Sequence, residues 1–322
     1  MKGGSVLFLG IEGRALTREE AATLKRVRPA GIVLVTRNIG EAKELRELVA
    51  RLRGALPEGL FCLDAEGGRV DRLKGIVGPS PAASELARQR PAAARLAGRR
   101  IGAALRDFGF DLNFAPVVDL DHGRTGNALD QRTFGATPRG VIARARAFAR
   151  GLGEVGVLAC LKHFPGLGDA AADTHSRGAT IELSAKALAR DLTPFTALFT
   201  DVPSVMVSHA IYPGWRESRL PASLSRKICH DLLRNKLGYR GVLFSDDLEM
   251  GAVADLGSLA DLAAQSLHAG CDGLLFCRRI DAAPTIAQKL ASRSLDLRLR
   301  QSTRRLAALR RELARLGSVA PD

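Results

Sequence analysis

Eight short apolar runs recur along this 322-residue chain, and amphipathic segments separate them. This alternation restricts the fold more than any other feature. Brief β-favouring runs without strict polar/apolar alternation are buried on both faces, which is the pattern of a parallel sheet whose crossovers are helices. Strands are expected at 5–10, 31–35, 60–63, 112–118, 157–162, 204–207, 241–244 and 272–276. Helices are expected at 17–25, 41–52, 81–107, 143–152, 184–199, 225–236, 258–268 and 302–316, the first opened by a Thr17-x-x-Glu20 capping box. Eight βα units predict an α/β fold, a single-domain (β/α)8 TIM barrel spanning 1–322, although length alone allows two domains and an open doubly wound sheet is the alternative.

A barrel of this kind builds its active site where the strands end. Polar residues stand at those positions: Arg37 and Asn38 after the second strand, Asp64 after the third and Asp119 after the fourth. Lys162 and His163 end the fifth, His209 follows the sixth, and Asp246 ends the seventh.

Three of these segments are dense enough to carry chemistry. In Asp64-Ala65-Glu66-Gly67-Gly68-Arg69-Val70-Asp71-Arg72, a carboxylate and a guanidinium flank two glycines. A salt-bridged turn and a pair of groups that binds sugar hydroxyls both fit. In Lys162 to Asp169, proline and glycines break regular structure, so a loop is expected that carries Asp173 and His175 over the barrel mouth. An Asp two residues before a His can fix the ring's tautomer and leave the other nitrogen as acid or base, whereas an ordinary solvated loop would use the same residues without chemistry. Asp246 and Asp247 are adjacent on an extended segment, so only one can face the barrel axis while the other caps the following turn. Lys162, Arg72 and Arg132 are candidate cations for the inward carboxylate.

Other function classes find less support. Gly151-x-Gly153-x-x-Gly156 has a helix before it and a strand after it, the reverse of a dinucleotide-binding turn. No zinc-ligand spacing is present, and the five cysteines are odd in number with no C-x-x-C pair, which points to reduced buried thiols. The net charge of +14 raises nucleic acid as a partner, but 39 of the 48 basic residues are Arg scattered among Ala and Leu, and aromatics are 5%. A solvated charge excess is therefore preferred to a nucleic-acid surface. The first apolar run is too short for a signal peptide and no run reaches membrane-spanning length, so a cytoplasmic protein with no membrane partner is expected.

Taken in order, Gly31 to Asn38, Asp64 to Arg72, Leu112 to Asp119, Arg132 to Gly135, Lys162 to His175, Val205 to His209, Pro221 to Ser225 and Gly241 to Met250 resemble glycoside hydrolase family 3, in its single-domain β-N-acetylglucosaminidase branch. The resemblance implies that Asp246 is the nucleophile and that His175, oriented by Asp173, is the general acid and base. It implies that Asp64, Arg72, Arg132, Lys162 and His163 hold N-acetylglucosamine, without metal or cofactor. It further implies removal of terminal N-acetylglucosamine from GlcNAc-anhydroMurNAc and muropeptides in peptidoglycan recycling; separately, a monomer is expected, although the sequence alone leaves the oligomeric state open. An imidazole with an ordinary pKa of about 6.5 in place of the usual acid carboxylate suits proton transfer near neutral pH. Leu167, Ala65 and Asp71 depart from the family pattern, at positions that bear on loop behaviour and fine specificity rather than on reaction class. Another sugar specificity, phosphorolysis, metal-dependent amidohydrolysis and a non-catalytic nucleic-acid-binding barrel are the competing readings.

Overall fold

The computed structural model describes residues 1–124, 128–170, 179–215 and 219–318, and its principal strands form one parallel sheet. In chain order these are β1 (Leu7–Leu9), β2 (Gly31–Val33), β3 (Leu60–Leu63), β4 (Leu112–Asn113), β5 in two pieces (Leu158–Ala159 and Leu161–Phe164), β6 (Ser204–Val207), β7 (Val242–Asp247) and β8 (Gly273–Phe276). Each pairs with its sequence neighbours, and β8 returns to β1 with Leu274 opposite Leu7. The ring closes through β5, whose first piece pairs with β4 and whose second pairs with β6. Between the pieces, the Cys160 N–H donates to the Ala115 carbonyl at 2.9 Å, so contact with the β4 side is kept. The alternation thus yields a barrel, and the open doubly wound alternative is excluded.

Several boundaries differ from the expected ones for identifiable reasons. The expected strand 112–118 is regular only over β4, because Pro116 offers no N–H to a ladder; a single bridge, Val117 to Lys162, continues the pairing. The seventh strand runs past Phe244 to Asp247, and the first begins at Leu7 because Lys2–Val6 winds as a 3₁₀ turn.

The crossover helices are α1 (Arg18–Val27), α2 (Ala42–Ala55), α3 (Pro91–Asp107), α4 (Pro138–Glu154), α5 (Ala185–Leu198), α6 (Lys227–Lys236, wound as a π-helix), α7 (Leu259–Ala269) and α8 (Ala283–Leu290), followed by α9 (Asp296–Ser318). The capping box of α1 forms, with the Glu20 N–H donating to Thr17 Oγ1 at 3.1 Å and the Thr17 N–H to Glu20 Oε2 at 2.9 Å. The expected helix 81–107 is two pieces, Ala83–Leu86 and α3, because Arg90 is extended and Pro91 opens a new helix. The helix expected over 143–152 starts earlier, at Pro138, capped by Thr137.

Aromatic rings fill the barrel interior. Phe244 meets Phe8 and Phe114 edge to face, with centroids 5.0 and 5.4 Å away. This packing demands glycine on the adjacent strands, since a Cβ at Gly31 or Gly273 would lie 2.5 Å from Phe8 Cε1 or 2.4 Å from Phe244 Cδ1. All five cysteines are buried and unbridged. Part of the arginine excess is structural: the fully buried Asp272 carboxylate accepts from Arg234 at 2.6 Å, Arg298 at 2.7 Å and Arg305 at 3.0 Å, which ties α6 and α9 to the lower end of the barrel.

Candidate active site

The end of β3 leads into a small antiparallel hairpin, Ala65–Gly67 against Val70–Asp71. Its turn passes through Gly67 and Gly68 at φ +95° and +58°, left-handed values that disfavour any residue with a Cβ. The hairpin sets Glu66 and Arg72 on either side of Asp64. Lys162 Nζ lies 2.8 Å from Asp64 Oδ1 and 2.5 Å from Glu66 Oε1. Arg72 Nη2 donates to Asp64 Oδ2 at 2.9 Å, and Arg132 grips Glu66 with two bonds of 2.8 Å each. Asp64, Arg72, Arg132 and Lys162 therefore converge at the barrel mouth, with Glu66 as an additional member.

Burial alone would raise both carboxyls, yet the nearby cations prevail. Lys162 and Arg72 hold Asp64 well below the usual carboxylate range, and Arg132 and Lys162 pull Glu66 down to about 2. Burial likewise disfavours charge on Lys162, but Asp64 and Glu66 outweigh it and raise its pKa. The result is a fixed, ionised floor. Asp64 and Arg72 retain partial exposure, with side chains 18% and 23% accessible, whereas those of Lys162 and Glu66 are only 3% and 4% accessible. Asp64 and Arg72 can thus meet a ligand's hydroxyls directly while the more deeply buried members orient them.

His163 joins this floor from β5. Its Nδ1 lies 2.8 Å from Asp119 Oδ2, and its Nε2 lies 3.5 Å from Arg132 Nη2. Asp119, wholly buried, also accepts the backbone N–H groups of His163 and Leu167. It thereby fixes both the ring and the first turn of the loop after β5, a role that its place after β4 did not reveal. Asp173 and His175 lie outside the described residues.

At the end of β7, Asp246 and Asp247 divide their roles as the strand period requires. Asp247 Oδ1 accepts the N–H groups of Glu249 at 3.1 Å and Cys277 at 3.2 Å, so it caps the turn and pins β7 to β8. Asp246 is half-buried, and its Oδ1 accepts the Asp247 N–H at 2.9 Å. The expected direct pairing of Lys162, Arg72 and Arg132 with Asp246 is not found, because Asp64 and Glu66 take all three cations. Asp246 nevertheless ends β7 at the same end of the barrel as Asp64 and Lys162. The Cys160 thiol, pushed up to about 12 chiefly by burial, also feels the charges of Asp64 and Asp246.

Burial, with the charge of Glu249 adding, pushes the Asp247 carboxyl up to about 6. A raised acid favours the protonated folded state, so this contribution to stability is present below about pH 4 and is lost as pH rises through about 6. Asp247→Asn keeps the accepting oxygen and removes the titration. Urea unfolding at pH 4 and pH 7.5 should show the variant gaining on the parent at the higher pH; a pH-independent difference would count against the assignment.

Among the described residues, no cluster of three or more His, Cys, Asp or Glu is arranged to hold a metal ion, and no helix is long and apolar enough to cross a membrane. Comparison with known proteins agrees with the geometry. The family model described as "Glycosyl hydrolase family 3 N terminal domain" matches residues 3–309. A protein named beta-hexosaminidase from Xanthomonas oryzae pv. oryzae is 39% identical over 282 residues, covering 84% of this chain and 83% of its own. A glycoside hydrolase family 3 beta-N-acetylglucosaminidase structure from Paenibacillus sp. FPU-7 superposes with a TM-score of 0.90 at 31% identity, covering 99% of this chain and 63% of that longer one. A family 3 glycosyl hydrolase from Mycobacterium smegmatis gives a TM-score of 0.84 at 32% identity, covering 96% of both chains.

Proposed function

The chain belongs to glycosyl hydrolase family 3 and is a glycosidase, and from that membership we propose that it is a retaining, exo-acting β-N-acetylglucosaminidase. The observation that carries this reading is the pairing of Asp64 with both Lys162 and Arg72, at the same end of the barrel as Asp246. An ionised carboxylate flanked by fixed donors binds vicinal sugar hydroxyls, and Asp246 supplies a nucleophile close by. In the proposed sequence Asp246 attacks C1 while His175, oriented by Asp173, protonates the departing oxygen. His175 then takes a proton from the water that releases the sugar, and two displacements at C1 retain its configuration. Asp64, Arg72, Arg132, Lys162 and His163 bind and orient the N-acetylglucosamine.

The proposed natural substrates are GlcNAc-anhydroMurNAc and muropeptides of peptidoglycan recycling, cleaved in the cytoplasm by a monomer. The family membership supports this reading, and the +14 charge favours capture of the anionic lactyl and peptide carboxylates.

A panel of p-nitrophenyl glycosides, assayed with and without phosphate, tests the assignment. The N-acetyl-β-glucosaminide is expected to turn over fastest and to yield free sugar. Faster turnover of the β-glucoside or β-xyloside would overturn the sugar assignment, and diversion of product to sugar 1-phosphate would replace hydrolysis with phosphorolysis. Salt-sensitive retention of nucleic acid together with no glycosidase turnover would favour the non-catalytic reading.

A further inference from the structure

Two family-like segments, Val205 to His209 and Pro221 to Ser225, have no part in the proposed chemistry, yet they meet directly beside it. The chain after β6 is held against the second segment by Ala222 N–H to the Ala210 carbonyl at 2.8 Å and Ser223 N–H to the Ser208 carbonyl at 3.1 Å. His209 and Ser223 are both wholly buried there.

The His209 ring reaches from this junction to β7. Its Nε2 lies 2.8 Å from the main-chain carbonyl oxygen of Asp247, and its Nδ1 lies 2.6 Å from Ser223 Oγ. A carbonyl oxygen only accepts, so Nε2 carries the proton. In the neutral ring Nδ1 then accepts from the Ser223 hydroxyl, which fixes that tautomer. The same Asp247 carbonyl accepts the Met250 N–H at 3.0 Å, and the Asp247 N–H donates to Asp246 Oδ1 at 2.9 Å. One residue thus has its carbonyl clamped by an imidazole and its N–H aimed at the carboxylate of Asp246.

The opposite flank of the junction is built in a comparable way. Ser208 Oγ lies 2.9 Å from Tyr212 Oη, which donates to the Gly166 carbonyl at 2.9 Å in the loop after β5. The end of β6 therefore braces the strand that carries Asp246 on one side and the loop after β5 on the other.

We propose that His209, held in its Nε2–H form by Ser223, is a positioning residue that sets the direction of the Asp246 carboxylate through the Asp247 main chain. This rests on the reading of Asp246 as nucleophile. Misplacing a reacting group by about 1 Å can cost about 10²-fold in rate, so loss of the clamp is expected to act on kcat more than on KM.

The test compares His209→Phe, His209→Gln and Ser223→Ala. Phe fills the ring's space without a donor, Gln carries an amide N–H near the position of Nε2, and Ser223→Ala removes the hydroxyl that fixes the tautomer. Steady-state kinetics with the p-nitrophenyl N-acetyl-β-glucosaminide are paired with the inactivation rate by a 5-fluoro N-acetylglucosaminyl fluoride, whose covalent adduct is located by mass spectrometry. Expected are a kcat loss of about 10²-fold for His209→Phe with KM little changed, a matching fall in its inactivation rate, substantial recovery with His209→Gln, and an intermediate loss for Ser223→Ala. Folding is checked by circular dichroism. If His209→Phe does not fold, Ser223→Ala and His209→Gln decide: kcat unchanged in Ser223→Ala, or Gln no more active than Ser223→Ala, overturns the proposal. An adduct on a residue other than Asp246 in the parent enzyme overturns the nucleophile reading. An adduct on Asp246 that forms at the parent rate in a folded His209→Phe overturns the positioning role alone.

Discussion

Asp246→Asn is expected to lower turnover of the N-acetyl-β-glucosaminide by on the order of 10⁴-fold or more, the scale on which removal of a covalent nucleophile acts. The substitution is close to isosteric and keeps an oxygen to accept the Asp247 N–H, so β7 and its turn retain their bonds. It removes the negative charge and the nucleophilic lone pair needed to form the proposed glycosyl-enzyme. The Asp246 carboxylate has no ion pair with another described residue, so its loss leaves no cation among the described residues uncompensated. Stability should therefore change far less than activity. Turnover measured beside a urea unfolding curve checks both points: a variant that retains more than a few per cent of the parent kcat would remove Asp246 from the nucleophile's role, whatever its stability.

Lys162→Met is expected to act on stability as well as on activity. The ammonium sits between Asp64 and Glu66 at 2.8 and 2.5 Å, and a methionine fills its stem but leaves those carboxylates facing each other without it. Breaking a buried ion pair by removing one partner costs about 3–5 kcal/mol. Arg72 and Arg132 remain, so the lower part of that range is expected at neutral pH. The pH dependence also separates cause from accident. In the parent both carboxyls are depressed, so their stabilisation is present above about pH 4 and is lost only as pH falls further, through about 2 for Glu66. In the variant their pKa values rise, so its deficit should be largest at pH 7 and shrink toward pH 4.5 as protonation relieves the repulsion. Urea unfolding at the two pH values measures this. A deficit below about 1 kcal/mol at pH 7 would show that the two arginines suffice. The exposed pair of Lys289 with Asp261 is the control, and Lys289→Met should leave the unfolding curve close to that of the parent.

The alternation of apolar runs revealed the barrel because burial on both faces leaves a continuous signature in each strand. It failed where local chemistry overrides that signature. Pro116 ends the ladder of β4 early, Cys160 stands between the two pieces of β5, and α8 is short with a proline in its first turn, so its helical period is weak. The polar residues of the mouth were legible as residues, since Asp64, Lys162, His163 and Asp246 all stand at strand ends. Their partnerships were not. Which carboxylates Lys162, Arg72 and Arg132 choose depends on a glycine hairpin that folds Glu66 back toward Asp64, and a charge written in sequence carries no direction in space. The same holds for Asp119 and His209, which stand in recognisable segments but whose hydrogen-bond partners those segments do not disclose.

The division of β5 into two pieces links catalytic competence to completion of the fold. The first piece is laddered to β4 and the second to β6, while Lys162 in the second piece is also bridged to Val117 beyond β4, so the strand that carries Lys162 and His163 joins both halves of the barrel. Neither half alone can hold these side chains against both Asp64 from β3 and the main chain of β6. The ionised floor is therefore a joint between two half-rings, and an enzyme split near residue 156 would regain the proposed sugar site only when its fragments reassociate. Turnover in such a complementation experiment would count sealed barrels.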